Sequence, residues 1–308
     1  IFLFFFCSHQ GIICLIKLNV SHRRFIMYNV YFFSSRHHHL LLSKIFSNFA
    51  IKLIGVMKII VLPDIHGRRF WESARERIDE CDKVVFIGDY FDPYGFEGIT
   101  PLEAIENFKD ILSFVNDYRE KVVMLLGNHD LPYFSNRYLA LARYHCRMSR
   151  AWHDTIADMF EACRELFKLA HVEDDILFTH AGCASQWLKS IDAEPASLSE
   201  LVALLNGLLT AEDGMRQLFM VSHYRGGRDQ AGSCVWADVR ELVGDLNGLH
   251  FDDCPTVKQV FGHTLQVVKD EIGNYVSGYP LTTPTIKMLD TRCAYMLDTA
   301  TFTHEALL

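Results

Sequence analysis

Not one Asp or Glu occurs in residues 1–56, although the chain holds 38 acidic residues in all. That segment contains six basic residues, Lys17, Arg23, Arg24, Arg36, Lys44 and Lys52, so residues 57–308 keep 24 of the 30 Lys and Arg and carry a net charge of −14. The whole-chain value of −8 conceals this asymmetry. An acid-rich body lacks the basic footprint that gripping a nucleic acid requires, so no nucleic-acid partner is expected. No Cys-x-x-Cys pair occurs among the nine cysteines, and the seven beyond residue 56 are an odd number. A complete disulfide framework is therefore excluded, and free thiols in a reducing cytoplasm are expected. Beyond residue 57 there is no internal repeat, low-complexity linker or heptad run. Ile1 to Leu18 is apolar in parts but is broken by Ser8, His9, Gln10 and Lys17. With no charged n-region before it and no small-residue cleavage site after it, it reads as neither signal peptide nor membrane anchor.

What is present divides at Met57. The residues before it are rich in Phe, Ile and Leu, which argues against a disordered tail. The chain opens on Ile, the early residues are those of AT-rich codons, and Met57-Lys58-Ile59-Ile60-Val61-Leu62 reads as a start running straight into a strand. Residues 1–56 are accordingly expected to be a non-native, upstream-translated segment, with one domain over 57–308. The run His37, His38, His39 is then incidental to metal binding.

Within 57–308, five short motifs follow five apolar runs. Lys58 to Leu62 leads to Asp64-Ile65-His66-Gly67, and Val84 to Ile87 leads to Gly88-Asp89-Tyr90-Phe91-Asp92. Val122 to Leu126 leads to Gly127-Asn128-His129-Asp130, Ile176 to Phe178 to Thr179-His180-Ala181-Gly182, and Val257 to Phe261 to Gly262-His263-Thr264. Each run has the length of a buried strand, so oxygen and imidazole donors gather at strand ends, the place where open α/β sheets bind ligands. Helical patterns alternate with the strands. Phe70, Ala74 and Ile78 mark one face over 70–81, and Pro101 opens a helix to Tyr118 with Leu102, Ile105, Phe108, Leu112 and Val115 as its apolar stripe. A long helical stretch is expected from Asn136 to Leu169, with Trp152, Ile156, Met159, Phe160, Cys163 and Phe167 in the core, and further helices over 198–209 and 212–220. Short strands over 286–289, 294–297 and 301–304 imply a second sheet.

The order and identity of the five motifs resemble the calcineurin-like metallophosphoesterases, closest to the phosphoprotein phosphatase branch and its bacterial relatives, which include the diadenosine tetraphosphatases. The resemblance runs from Met57 to about Thr303, with weaker echoes at Val235-Trp236-Ala237-Asp238 and Leu289-Asp290-Thr291. It implies an α/β fold, a two-sheet αββα sandwich with an inserted helical segment, and two divalent metal ions. By that resemblance Asp64, His66 and Asp89 hold one ion, while Asn128, His180 and His263 hold the second with Asp89 bridging. Mixed oxygen and imidazole ligation suits manganese, iron or zinc. The implied reaction is hydrolysis of a phosphoric ester by a hydroxide bridging the two ions, with His129 as the acid that protonates the departing oxygen and Asp92 orienting it.

Two departures bear on the substrate. The last motif is Gly262-His263-Thr264 rather than Gly-His-x-His, so one ion is expected to lack a ligand. In the phosphatase branch an Arg commonly follows the second Asp of Gly-Asp-x-x-Asp, and here Pro93 stands there. Arg68, Arg225 and Arg228 are the candidates to hold phosphate. Asp290 is expected to steady the sheet beside the site, and Trp236 to fill core. The reading that follows is a phosphomonoesterase acting on a phosphorylated protein or small molecule. Its alternatives are a dinucleoside polyphosphate hydrolase or phosphodiesterase, and a scaffold that has kept the fold without turnover.

Overall fold

The apolar runs become strands because Val, Ile and Phe pack on a pleated surface covered from both sides. The computed structural model describes residues 2–7, 12–21, 24–33, 56–135, 146–245, 248–264, 267–269, 275–277 and 281–307. The chain divides into two units, residues 1–58 with 298–301, and residues 59–297 with 302–308. In the first, β1 (Phe2–Cys7), β2 (Ile12–Ser21) and β3 (Arg24–Phe33) form an antiparallel sheet in that order.

The remaining strands build two main sheets. They are β4 (Lys58–Leu62), β5 (Lys83–Phe86), β6 (Val122–Leu125), β7 (Phe167–Lys168), β8 (Ala170–Glu173), β9 (Ile176–Thr179), β10 (Lys258–Phe261), β11 (Val267–Lys269), β12 (Tyr275–Ser277), β13 (Leu281–Thr282), β14 (Ile286–Met288), β15 (Ala294–Asp298) and β16 (Thr303–Leu307). One sheet has the order β16-β15-β4-β5-β6-β7, the other β13-β14-β10-β9-β8, and β11 pairs with β12. β4 to β7 run parallel, with Ile60 opposite Val84, Val84 opposite Val122 and Met124 opposite Phe167. β9, β10 and β14 are parallel in the second sheet. The fold is thus mixed α/β with two sheets and helices, as the motifs imply. One core joins the two sheets: Ile60, Leu62, Val84 and Phe86 from the first cluster with Ala170 and Leu177 from the second.

The helices are α1 (Glu72–Glu76), α2 (Pro101–Asp117), α3 (Leu131–Phe134), α4 (His153–Ala162), α5 (Ser185–Ser190), α6 (Leu198–Gly207), α7 (Gly214–Leu218) and α8 (Val239–Gly244). α2 starts where its residues dictate. The Thr100 hydroxyl accepts from the Glu103 N–H at 3.2 Å, the Glu103 carboxylate accepts from the Thr100 N–H at 2.8 Å, and Pro101 needs no partner for a missing donor. Its buried face is Ala104, Ile105, Phe108, Ile111, Phe114 and Val115, so the expected stripe is rotated and Leu102, in the first turn, is 56% exposed. Asn107 on this helix receives the Trp71 indole N–H at 2.8 Å and donates to the Arg68 carbonyl at 3.0 Å, fixing the loop that follows β4.

The helix expected to reach Leu169 stops earlier. α4 ends at Ala162, Arg164–Leu166 forms a 3-10 turn, and Phe167 and Lys168 pair with Met124 and Leu125. Phe167 is core in either state, which is why its spacing misleads; the open edge of β6 decides the matter by offering backbone hydrogen bonds. Residues 136–145 of that expected stretch lie outside the described residues.

Candidate metal centre

Every motif lies on the turn that leaves a strand: Asp64 and His66 after β4, Asp89 and Asp92 after β5, Asn128 and His129 after β6, His180 after β9, and His263 after β10. The turns are bent into a conformation that side chains disfavour. Asp64, His66, Asp89, Asp92 and His263 have φ of 37°, 45°, 56°, 62° and 65°, five of the eight such non-glycine residues among those described. Left-handed backbone costs on the order of 1–3 kcal/mol at each such residue and persists where surrounding contacts enforce it. Here they do. Ile65, His66 and Gly67 donate to the carbonyls of Gly88, Asp89 and Tyr90 at 3.2, 2.6 and 3.0 Å, zipping the first two turns together. The glycines are fixed by the carboxylates: a Cβ on Gly127 would strike the Asp89 carboxylate, and one on Gly262 would strike that of Asp64.

Two groups of donors result, and they share one residue. Asp64, His66 and Asp89 bring their ligand atoms within 4.8 Å of one another, and so do Asp89, His180 and His263. Asp64, His66, Asp89, Asn128 and His180 are all buried. Backbone carbonyls set the histidine tautomers, because a carbonyl only accepts. His66 Nδ1–H donates to Phe91 O at 2.8 Å and His180 Nδ1–H donates to Ile87 O at 2.9 Å, which leaves each neutral ring a lone pair on Nε2. Both lone pairs face the shared carboxylate, at 3.4 and 3.5 Å from Asp89 Oδ2. His180 Nε2 also stands 2.9 Å from Asn128 Oδ1 and 2.9 Å from His263 Nδ1. His180 Nε2 and Asn128 Oδ1 are both acceptors and repel at that separation unless a cation lies between them. His263 Nε2 is buried and has no hydrogen-bond partner among the described residues. The donor set therefore fits divalent metal.

The electrostatics point the same way. Burial pushes His66 down to about 3 and His263 well below the ordinary imidazole value, so both stay neutral and able to ligate. Burial also works to raise Asp89, but the imidazoles of His180, His129 and His66 and the backbone N–H of His129 outweigh it and hold the carboxyl down to about 2. Asp64, buried and close to Asp89, is raised to about 6.

Beside the donors sits a separate arm. His129 gives its backbone N–H to Asp89 Oδ1 at 2.9 Å, and its Nδ1 is 2.8 Å from Asp92 Oδ2. Asp92 Oδ1 accepts from the Tyr133 hydroxyl at 2.6 Å and the Met148 N–H at 3.0 Å. Burial would raise Asp92, yet these donors hold it below the usual carboxylate range, so it stays charged behind the imidazole.

The candidate arginines are placed unequally. Arg68 spends its donors on structure, reaching Glu97 Oε1 at 2.7 Å and the carbonyls of Asp64 at 3.0 Å and Thr291 at 2.6 Å. Arg225 bonds the Ala237 carbonyl at 3.0 Å and the Thr264 hydroxyl, and its charge acts on Asp64 and His263. Arg228 is exposed. Trp236 fills core and sets its ring edge-on to His263, centroids 5.8 Å apart. Asp290 pairs with Arg292 at 3.3 Å, next to the Thr291 carbonyl that holds Arg68.

Two residues escaped the sequence reading. Asp130 accepts the N–H groups of Asp89, Gly127 and Tyr90 at 2.6, 2.8 and 2.9 Å and so locks the β5 and β6 turns. Its place inside the Gly127-Asn128-His129-Asp130 motif was the available signal. Arg147 lies 3.3 Å from His129 Nε2, and no local pattern marks it.

No curated protein aligns significantly with the sequence. Among solved structures the chain is similar to one provisionally assigned as a diadenosine tetraphosphatase, with 15% identity and a TM-score of 0.37 over 82% of this chain and 93% of that one. Among the described residues no helix is long and apolar enough to cross a membrane. The family model for calcineurin-like phosphoesterases matches residues 57–265, the span that carries all five motifs, and the chain belongs to that family.

Proposed function

We propose that this protein is a binuclear-metal phosphoric ester hydrolase that acts as a phosphomonoesterase. The observation that carries the reading is the pair of buried donor groups with Asp89 common to both. Asp64, His66 and Asp89 would hold one ion, and Asn128, His180 and His263 with Asp89 the other. Manganese, iron or zinc suits such mixed oxygen and nitrogen donors. When bound, a pair of divalent cations supplies an acidified water as nucleophile and positive charge for both the attacking and leaving oxygens of an in-line displacement.

The rest falls to the chain. Asp92, held by Tyr133 and Met148, fixes the His129 ring through Nδ1, so that Nε2 is the atom left to give a proton to the leaving oxygen. The His129 side chain is 12% exposed, enough to meet a substrate while its partner Asp92 stays dry. Arg225 supports substrate charge from the Asp64 and His263 side. The net of −14 over residues 57–308 favours a compact phosphate ester over a nucleic acid.

A panel of phosphomonoesters, phosphopeptides and dinucleoside polyphosphates, assayed with manganese, tests this. Turnover of the monoesters is expected. Cleavage confined to dinucleoside polyphosphates would replace the substrate class, and a metal-loaded protein that turned over none of them would make the chain a scaffold.

A further inference from the structure

We propose that Arg147 is the residue that grips the substrate's phosphoryl group and, in doing so, frees His129 Nε2 to face the leaving oxygen. The inference rests on the phosphoric ester hydrolase reading above and adds to it a positioning residue. Position 93, directly after Asp92, is a proline, so the β5 turn offers no cation of its own there. Arg147 fills that region from a distant part of the chain. Its Nη1 donates to the Asp92 carbonyl at 2.5 Å, its guanidinium carbon lies 3.8 Å from the centroid of the Tyr94 ring, and its Nη2 is 3.3 Å from His129 Nε2.

Three features single it out from the other arginines near the site. First, its described partners are a carbonyl, an aromatic face and an imidazole, none of them an anion. Arg68 by contrast is paired with Glu97 at 2.7 Å, and Arg225 lies 3.7 Å from Asp238. Among the described residues no carboxylate lies within ion-pair distance of Arg147, so its charge is left for an external anion. Second, the carbonyl and the ring already orient the planar fork, which lowers the ordering cost of gripping phosphate. Third, a guanidinium only donates, so His129 Nε2 accepts from it in the free protein. A phosphate oxygen is a stronger acceptor than a neutral imidazole, because the bond is then charge-assisted on both sides. Phosphate therefore draws Nη2 away and uncovers the Nε2 lone pair, which takes a proton from water before handing it to the leaving oxygen.

The test uses the full chain loaded with manganese. Binding of inorganic phosphate is measured by calorimetry for the wild type, Arg147→Gln and Arg147→Lys, alongside KM and kcat on p-nitrophenyl phosphate, metal content and thermal melting. Arg147→Gln should weaken phosphate binding about 10- to 100-fold and raise KM to match, the loss expected for hydrogen bonds to a charged group. Arg147→Lys should recover part of the affinity as a point charge without the fork. Metal content and melting should stay at wild-type values in both, which a merely structural arginine would not allow. Phosphate binding by Arg147→Gln as tight as the wild type's overturns the inference while leaving the hydrolase reading standing. A loaded wild type that neither binds phosphate nor hydrolyses any ester would overturn that reading, and this inference with it.

Discussion

His129 carries two duties on separate atoms. Its backbone N–H steadies Asp89, and its ring, backed by Asp92, points Nε2 outward. His129→Asn removes only the second. An alkyl phosphate, whose alkoxide leaves poorly, should slow by about 10²- to 10⁴-fold. p-Nitrophenyl phosphate, whose phenolate departs unprotonated, should keep far more of its rate, and metal content should not change because Asn128 is untouched. Equal losses on both substrates at full metal occupancy would show that the ring positions phosphate instead of giving a proton. At this scale the clustering of Asp64, His66, Asp89, His180 and His263 was legible, because each closely follows an apolar run. Asp130 was named only as part of its motif, because two of its three backbone partners lie about 40 residues away and only Gly127 is local. Arg147 was not legible, since its partner is a histidine ring 18 residues away, a relation that leaves no mark in local sequence.

The turns, more than the strands, make the site, and they do so through glycines with no room for a side chain. At Gly127 a Cβ would push on the shared carboxylate of Asp89, while at Gly262 it would push on Asp64 and its neighbour Pro63, and not on Asp89. Gly262→Ala should therefore lower bound manganese from two equivalents toward one, with the circular dichroism of the sheets preserved. Two full equivalents at wild-type affinity would mean that the turn has slack which the packing denies. The five strands that lead into the motifs were readable to within a residue or two, since a buried parallel strand is a short apolar run between turn signals, while β7 and β8 were not. The end of α4 was not readable. Phe167 satisfies helical spacing and strand burial alike, and its fate is set by β6, more than 40 residues earlier. The same limit shows on α2, where spacing gives a helix but not which side meets the sheet, and Leu102 falls outside the buried face.

Across the whole molecule the donors make stability depend on protons and metal together. His66 is held down to about 3, and His263 is lowered as well, so both fold as neutral rings. A group whose folded value is depressed contributes stability above its unfolded value, here 6.5, and loses it as pH falls toward the folded one. Asp64, raised to about 6, works in the opposite direction, its burial penalty easing as it takes up a proton between pH 6 and 3.8. With His304 also lowered and Asp130 also raised by burial, three imidazoles against two carboxyls give a metal-free protein that melts lower at pH 5 than at pH 7. Manganese should raise the melting temperature at pH 7 and help less at pH 5, because Asp64, raised to about 6, takes up a proton in that interval and must give it up to ligate. A metal increment independent of pH would contradict ligation by Asp64. Asp89 is the one donor common to both groups. The most direct measurement is therefore a manganese titration of the wild type and of Asp89→Asn, with bound metal counted in each. Two equivalents in the wild type and a joint weakening of both in the variant, with most activity lost, is the predicted result; two full equivalents and normal turnover in Asp89→Asn would contradict it.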